Sequence, residues 1–346
     1  MKSLLVTIVT LLSRTSWSTI TSIILLLSSQ LPHCTASFAQ QPSPTIKSTH
    51  SIITPETINF PILYENDHLL AISEPPHIPH HDDPQSNQLG ILSLLRHQQQ
   101  STTFPYPHRL YGVHRLDRVT SGILLLAKGS DTANALVEKF KEKQVTKYYM
   151  AISGKKPKKK KQGWVKGSMV LGRRGSYKLV NESKKDNADD AKRSNYAVTR
   201  FFTAGLGNIP LSSSLLSEND CDGDESILSI PKTAILFQPH TGKTHQLRVA
   251  AKSVGMPILG DARYGGGRVC ASDSSTTSTE TEFDRTYLHA AAIHFEIGNE
   301  EVCIYSPPPF GHLFETPSML EDVFAGMMKK HCDCESILHQ IDDVKI

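Results

Sequence analysis

The sequence has few cysteines, and none of its cysteines or histidines falls in a familiar metal-binding spacing. Six cysteines are scattered through 346 residues, far below the density of a disulfide-stabilised secreted domain. No Cys-x-x-Cys pair occurs, and the sixteen histidines include no His-Glu-x-x-His segment. The two thiols of Cys332-Asp-Cys334 are interpreted as surface groups. We therefore predict that the chain holds no metal.

Acidic residues are absent from the first 55 positions, and no apolar run there is long enough to cross a bilayer. The first acid is Glu56, and the apolar runs Leu4–Leu12 and Ile23–Leu27 fall short of the roughly 20 residues that a membrane-spanning helix needs. Such a stretch is typical of a targeting leader. It resembles the two-part leaders of algae with complex plastids, with a mitochondrial transit segment as the alternative. The mature protein is expected to have no membrane segment.

A strong net charge is also lacking, since 37 Lys and Arg residues nearly balance 34 Asp and Glu residues. The balance fails locally, because residues 141–193 contain 17 basic and 5 acidic side chains. A positive segment of this kind is typical of a protein that binds a polyanion. The Lys-rich run of residues 154–161 within it is interpreted either as an RNA contact or as a solvated loop.

A length of 346 residues allows one large domain or two, and the pattern along the chain is interpreted as one domain between two peripheral segments. Residues 1–55 are assigned to the leader and a linker, residues 56–316 to the domain, and residues 317–346 to a tail with apolar residues at helical spacing. Within the domain, low-complexity or strongly charged stretches predict insertions near 154–193, 212–229 and 271–284.

The most informative stretch holds one acid, Asp117, between two arginines, Arg115 and Arg118. A Thr-Ser-Gly turn follows, and then the apolar run Ile123–Ala127, which predicts a buried strand. Asp117 is therefore expected on a loop that leads into a core strand, where a scaffold can hold a reactive group rigidly. From spacing alone, a surface salt bridge with the neighbouring arginines is the alternative.

Two later segments have clear periodicity. Residues 145–153 are rich in aromatic and β-branched side chains and predict a strand, in which Tyr148 and Tyr149 face opposite sides. Further on, Thr244 is a candidate N-cap for a helix whose apolar face includes Leu247 and whose opposite face carries Arg248.

These segments resemble three motifs of the RluA-type pseudouridine synthases, which isomerise uridine in RNA. The first motif is His114-Arg-Leu-Asp-x-x-Thr-Ser-Gly122, the second is Lys147-Tyr-Tyr-Met-Ala151, and the third runs from Thr241 to Gly265. The resemblance spans residues 58–315 and implies an α+β fold with a mixed, mostly antiparallel sheet flanked by helices and loops. The chain departs from the family at Glu74, where lysine is usual.

The same resemblance implies roles for individual residues. Asp117 is expected to be the catalytic carboxylate, Arg248 its charged partner, and Tyr148 the ring that stacks on uracil while Tyr149 packs. Substrate or RNA contacts are implied for four more residues, namely His114, Arg115, Thr120 and Leu247. Arg115 either fills the gap left by a flipped-out uridine or contacts a phosphate. The reaction requires no cofactor.

Two alternatives stay open besides an active synthase. One is a catalytically silent RNA-binding member of the same fold, and the other is a ribosome-assembly protein that binds RNA through its basic run. The presence of Asp117, Tyr148 and Arg248 favours the enzyme. The expected partner is ribosomal or transfer RNA, and the protein is expected to act as a monomer.

Overall fold

The computed structural model describes residues 60–100, 109–157, 160–180, 195–209, 230–269, 282–283, 285–308, 313–314 and 319–343. The chain divides into residues 1–47 and 48–346, and every described residue belongs to the second unit. The expected leader, the stretch 212–229 and most of the stretch 271–284 lie outside the described residues. Within the described ranges, no helix combines the length and the apolar character needed to cross a membrane.

The described residues form thirteen strands and five α-helices. The strands are β1 (Ile62–Glu65), β2 (Leu69–Glu74), β3 (Tyr111–Gly112), β4 (Ser121–Ala127), β5 (Thr146–Ser153), β6 (Gln162–Leu171), β7 (Tyr177–Val180), β8 (Tyr196–Ile209), β9 (Ile230–Pro239), β10 (Arg268–Val269), β11 (Glu282–Phe283), β12 (Leu288–Ile297) and β13 (Glu300–Tyr305). The helices are α1 (Ile91–Gln100), α2 (Ser130–Lys141), α3 (Gln246–Ser253), α4 (Met319–His331) and α5 (Glu335–Asp343).

Eleven of these strands form one sheet in the order β1-β2-β4-β12-β5-β9-β8-β6-β7, with β3 beside β4 and β13 beside β12. The pair β4–β12 is parallel, and the other pairs within this sheet are antiparallel. Strands β10 and β11 form a separate parallel pair. The expected α+β fold with a mixed, mostly antiparallel sheet is confirmed.

Strand β4 is buried along its whole length because helices cover both of its faces. Ile123 and Leu125 pack in a cluster with Leu136 of α2, whereas Leu124 packs in another cluster with Ile91 of α1. Successive side chains of a strand point to opposite faces, so one apolar run supplies both layers. The loop that precedes β4 is therefore anchored to the most rigid part of the sheet.

Two regions that the sequence predicts to be peripheral belong to the fold. Residues 162–171 and 177–180 form the β6–β7 hairpin at one end of the sheet, so the basic region near 154–193 is not simply an insertion. Helices α4 and α5 bury Phe324 and Ile337 in the same cluster as Tyr148, so the tail is part of the core. Sequence alone leaves this undecided because an amphipathic helix does not reveal its partner.

Candidate active site

One cavity of about 670 Å³ lies where the β3–β4 loop, strand β5 and the β9–α3 loop meet. Asp117, Thr120, Tyr149 and Leu247 all line it. We call this space the central cavity. Among the described residues that line it, Asp117 is the only carboxylate.

Asp117 is held on the loop between β3 and β4, as the sequence predicts. The backbone N–H of Thr120 donates to the Asp117 carbonyl at 2.7 Å and closes the turn that leads into β4. The Asp117 carboxylate is 21% exposed, and its Oδ2 lies 3.7 Å from Nη1 of Arg248, whose side chain is 6% exposed. Its sequence neighbour Arg118 instead donates hydrogen bonds to His77 and Gln88. A salt bridge between Asp117 and Arg118 is therefore not what the structure shows.

The Arg248 guanidinium is fixed by a second acid, Asp261. Nε and Nη2 of Arg248 donate to the two carboxylate oxygens of Asp261 at 2.7 and 2.8 Å. Such a two-pronged pair fixes both the distance and the plane of the guanidinium. Burial alone would lower the pKa of Arg248, but the hydrogen bonds and charge of Asp261, with Asp117 behind them, raise it. Arg248 therefore presents a permanent, oriented charge to Asp117.

The two tyrosines of β5 occupy the opposite faces from those expected, which is a correction. Tyr149 lines the central cavity, whereas Tyr148 is 1% exposed in the core. The Tyr148 hydroxyl donates to the carbonyl of His331, at the end of α4, at 3.2 Å. The physical reason is that α4 and α5 cover the Tyr148 face of β5. Burial, together with the charge of Asp117, raises the pKa of Tyr149, so its phenol stays protonated.

Strands β4 and β12 approach each other closely at Gly122, just after the Asp117 loop. Gly122 has φ +119°, and a Cβ placed on it would lie 2.3 Å from the carbonyl oxygen of Ala290 on β12. Glycine is required here both by its backbone conformation and by this contact. The glycine of the first motif is therefore explained by packing beneath the loop.

Beside Gly122, a series of buried hydrogen bonds also connects β4 to β12. Arg285 donates to the Ser121 hydroxyl, which lies 2.7 Å from Nδ1 of His289. His289 Nε2 lies 3.0 Å from the Ser306 carbonyl. Burial, reinforced by Arg285, lowers the pKa of His289 to about 3. A neutral His289 ring that accepts from Ser121 at Nδ1 and donates to the Ser306 carbonyl at Nε2 makes both of these hydrogen bonds.

The other predicted contact residues also border the central cavity. Arg115 lines it from an exposed position, while Thr120 and Leu247 line it from buried ones. His114 borders it too, but its Nε2 accepts the backbone N–H of Leu125 at 2.9 Å. Burial, followed by the charge of Lys147, lowers the pKa of His114 to about 3. His114 therefore borders the central cavity as a neutral ring, and its hydrogen bond to Leu125 holds the loop against β4.

The rim of the central cavity is basic. The cations that line it are Arg115, Lys141, Lys143, Lys147 and Lys243. Burial lowers the pKa of Lys147 to about 8, so this side chain is still mostly charged at neutral pH. His240, also in the lining, lies 5.0 Å from the ring of Trp164, which is 49% exposed on β6. A basic rim continued by an exposed aromatic ring is suited to a nucleic acid strand.

Two residues that position the site are missing from the sequence-based set. Asp261 holds Arg248, and Gln246 holds the β9–α3 loop. The Gln246 amide oxygen accepts from Thr241 and from the backbone of Lys243 at 2.7 and 2.9 Å, while its nitrogen donates to β8. Both residues lie inside the third motif, and their positions within that motif are the signal that could have found them.

The start of helix α3 also differs from expectation. The helix begins at Gln246 and its capping position is His245, in a left-handed conformation with φ 58°. The predicted N-cap, Thr244, lies one residue earlier, in the lining of the central cavity. The side chain of His245 makes no capping hydrogen bond. The loop is shaped instead by Gln246, which replaces a capping interaction.

Comparison with known proteins identifies one family that this chain matches. The family model for RNA pseudouridylate synthase matches residues 70–253. An uncharacterized RNA pseudouridine synthase of Haemophilus influenzae is 33% identical over 78% of this chain and 96% of its own length. A tRNA pseudouridine synthase C of Pasteurella multocida is 31% identical over 68% of this chain and 84% of its own length.

A further relative and one solved structure extend the comparison. A ribosomal large subunit pseudouridine synthase C of Vibrio parahaemolyticus is 29% identical over 83% of this chain and 78% of its own length. The solved structure of human RNA pseudouridylate synthase domain containing 1 covers 76% of this chain and 88% of its own, with a TM-score of 0.50 and 21% identity. At that identity the solved structure supports the fold alone.

Proposed function

Because the chain belongs to the RNA pseudouridylate synthase family, we propose that Asp117 is the carboxylate with which it isomerises a flipped-out uridine in the central cavity. The observation that carries this proposal is the position of Asp117, the only carboxylate among the described lining residues, 3.7 Å from a buried Arg248. The enzyme is an isomerase.

The reaction defines what the site must do. The bond between C1′ and N1 of uridine breaks, the uracil turns, and C1′ is rejoined to C5; C5 loses a proton and N1 gains one. No electron is transferred to an outside acceptor. An ionised carboxylate serves each of three routes, namely attack on C1′, a glycal route, and addition to the base. All three need Asp117 charged beside a desolvated base.

Arg248 keeps that charge available in a closed site. A bound uridine removes water from Asp117, and desolvation favours the neutral form of a carboxyl group. The fixed guanidinium offsets this effect, because an opposite charge within 4–6 Å favours the ionised form. Asp261 holds Arg248 in place before substrate arrives, so no reorganisation is needed during the reaction.

Tyr149 supplies a flat apolar surface for the uracil. Its ring lines the central cavity together with Leu247 and Leu288, which makes a slot with one aromatic wall. A phenol with a raised pKa is a poor proton acceptor. We therefore assign stacking to Tyr149 and not removal of the C5 proton.

The RNA enters over the basic rim. A uridine stacked in a helix cannot reach Asp117, so it must be swung out of the RNA. Arg115 is an exposed cation of the Asp117 loop that lines the central cavity, and it is placed either to fill the gap left by the uridine or to hold a neighbouring phosphate.

The substrate is proposed to be ribosomal or transfer RNA, in keeping with the printed names of the relatives. Mapping pseudouridines in cells that lack this protein tests the proposal. Loss of pseudouridine from specific ribosomal or transfer RNA positions is expected. An unchanged map in both RNA classes would argue against it.

The direct test replaces Asp117 by Asn, which keeps the shape and removes the charge. Asp117→Asn is expected to abolish pseudouridine formation on RNA transcripts while thermal unfolding stays unchanged. Arg248→Met is expected to lose most of the activity. The exposed Asp131 on α2 provides a matched Asp131→Asn control with wild-type activity. Wild-type turnover by folded Asp117→Asn would refute the assignment.

For the leader, we propose delivery to a plastid. Support comes from the acid-free first 55 residues and their short apolar runs. The measurement is the location of a fluorescent fusion in a cell with plastids, together with the amino terminus of the mature protein by mass spectrometry. A fusion found in mitochondria, or a mature protein that retains Met1, would contradict the proposal.

A further inference from the structure

Outside the central cavity, four metal-ligating side chains come together on the far end of the β12–β13 hairpin. They are His294, Glu301, Cys303 and Cys334, and we call them the Cys/His cluster. One ligand atom from each lies within 4.8 Å of all the others. None of the four lines the central cavity, so the cluster has no part in the chemistry proposed for Asp117.

Strand register explains why three of the four residues meet. His294 on β12 is directly opposite Cys303 on β13 in the antiparallel ladder. Glu301 is two residues before Cys303 and therefore points to the same face of β13. Facing and diagonal side chains on one face of a strand pair lie within reach of each other. The hairpin thus presents an imidazole, a carboxylate and a thiol together.

The fourth residue comes from the C-terminal helices. Cys334 lies in the short connection between α4 and α5, and its Sγ lies 2.8 Å from Sγ of Cys303. Both cysteines carry free thiols, and because Cys334 and Cys332 are buried, their interpretation as surface groups is wrong. Gln340 holds α5 against β13, because its amide nitrogen donates to the Cys303 carbonyl and its amide oxygen accepts from the Tyr305 N–H, each at 2.9 Å. Helix α5 is therefore held in register with β13 by contacts independent of the sulfur atoms.

The imidazole and the carboxylate of the cluster already lie together. His294 Nε2 is a buried atom 2.9 Å from Glu301 Oε1, although the angles of this contact are not those of a hydrogen bond. Two thiols, one imidazole and one carboxylate aimed at a common point are a set that a cation would satisfy.

We propose that His294, Glu301, Cys303 and Cys334 bind one Zn²⁺ ion in a tetrahedral structural site. Thiolate and imidazole ligands favour zinc over the harder Mg²⁺ and Ca²⁺ ions. Zinc bond lengths place neighbouring ligand atoms roughly 3.3–3.8 Å apart, so the two sulfur atoms need to separate by only a small side-chain rotation. The ligands lose their protons on binding: each thiol releases one, and the zinc accepts an electron pair from each of the four atoms.

The zinc ion would join the sheet to the C-terminal helices. Three ligands belong to the β12–β13 hairpin and one to the α4–α5 connection, so the ion ties α4 and α5 to the sheet. Those helices cover the face of β5 that holds Tyr148. Zinc would therefore stabilise the domain from the side opposite the substrate, without touching it.

Metal content of the purified full chain is the first test. Protein prepared with a thiol reductant and without chelator is expected to contain about one zinc ion per chain by elemental mass spectrometry. Cys303→Ser and Cys334→Ser are expected to lose it. The matched control is Cys332→Ser, since Cys332 is also buried and lies two residues from Cys334 but is outside the cluster.

The second test needs no variant and so does not depend on folding of the mutants. Co²⁺ is added to the chelator-treated wild-type chain under reducing conditions. The expected spectrum has thiolate-to-cobalt charge transfer and the intense visible bands of tetrahedral coordination, and zinc is expected to raise the thermal midpoint by several degrees.

Several results would overturn the proposal. They are wild-type protein that binds neither ion, zinc retained at full stoichiometry by both serine variants, or a Cys303–Cys334 disulfide in the protein isolated without reductant. Because metal content and spectra are read without RNA, failure here leaves the role of Asp117 untouched. Conversely, an inactive Asp117→Asn variant says nothing about zinc.

Discussion

Asp117 faces the central cavity, and the cation beside its carboxylate belongs to a residue remote in sequence. Arg118, its neighbour, is used to hold the segment between β2 and α1 through His77 and Gln88. Arg248 approaches from α3 instead and is fixed by Asp261. The Arg248–Asp261 pair is buried and two-pronged, and the remaining Nη1 of Arg248 lies 3.7 Å from the Asp117 carboxylate.

Replacement of Asp261 tests whether the position of Arg248 matters. Asp261→Asn removes one charge and one hydrogen bond, so we expect a fall in kcat of about 10- to 100-fold, equivalent to ~1.4–2.8 kcal/mol. KM is expected to change little, because Asp261 does not line the central cavity. The measurement is single- and multiple-turnover kinetics of pseudouridine formation.

A double variant separates positioning from general damage. Asp261→Asn combined with Arg248→Met is expected to be no slower than Arg248→Met alone, because both changes disable the same unit. Additive losses would show that Asp261 acts independently of Arg248.

The adjacent tyrosines give a matched pair of substitutions. Tyr149→Leu removes the ring beside Asp117, and loss of base stacking worth about 1–3 kcal/mol predicts a kcat/KM lower by about 5- to 160-fold. Tyr148→Phe removes the hydrogen bond that the hydroxyl donates to His331 and the one it accepts from Gln238, so it is expected to lower stability by about 1 kcal/mol and to lower kcat/KM far less than Tyr149→Leu does. Kinetics and urea unfolding measure both. Full activity in Tyr149→Leu with loss in folded Tyr148→Phe would restore the assignment made from sequence.

At the scale of elements, β6 continues the basic surface beyond the rim of the central cavity. Arg200 of β8 and Lys166 of β6 lie over the Trp164 ring, 5.7 and 4.9 Å from its centroid. Gln162–Ser168 pairs with β8, which in turn pairs with β9, so this patch is rigidly connected to the β9–α3 loop. An exposed ring between two cations is suited to a stacked base and its phosphates.

Substitutions on β6 test that surface. Trp164→Ala is expected to weaken RNA binding about tenfold through lost stacking, whereas Lys166→Ala is expected to reduce the slope of log affinity against log salt by about one. The matched control is Leu171→Ala, at another exposed apolar residue of the same strand. The measurement is RNA affinity at several salt concentrations. Equal affinities for all three variants would contradict the proposed RNA path.

For the whole molecule, Glu74 predicts how stability depends on pH. It replaces the usual lysine at the end of β2, its Oε2 is buried without a hydrogen bond, and burial raises its pKa from 4.5 to about 8. A carboxyl with a raised folded-state pKa binds protons more tightly when folded. Its stabilising contribution is therefore complete below pH 4.5 and is lost as pH rises towards 8.

Glu74→Gln is expected to remove this dependence. The free energy of unfolding of the wild type should decline across that pH range, with each unit of pKa shift worth about 1.4 kcal/mol. The variant should be more stable than the wild type at pH 8 and similar to it near pH 4.5. Urea unfolding at several pH values provides the measurement. Parallel pH profiles for the two proteins would rule out Glu74 as the cause.

The sequence by itself determined the chemistry and most of the elements. The structure brings Asp117 and Leu247 together in the lining of the central cavity and Arg248 within 3.7 Å of Asp117, and the strands around residues 123–127 and 145–153 were predicted in place. These features are local, because a turn, an apolar run or an alternation is written in consecutive residues. The family resemblance supplied the roles.

Only the tertiary structure decided which groups meet. Alternation placed Tyr148 and Tyr149 on opposite faces of β5, but the packing of α4 and α5 determined which face became core. Asp261 reaches Arg248, and Cys334 reaches Cys303, through pairings that no periodicity encodes. A strand or helix specifies its own faces by its geometry; what covers each face depends on the rest of the chain.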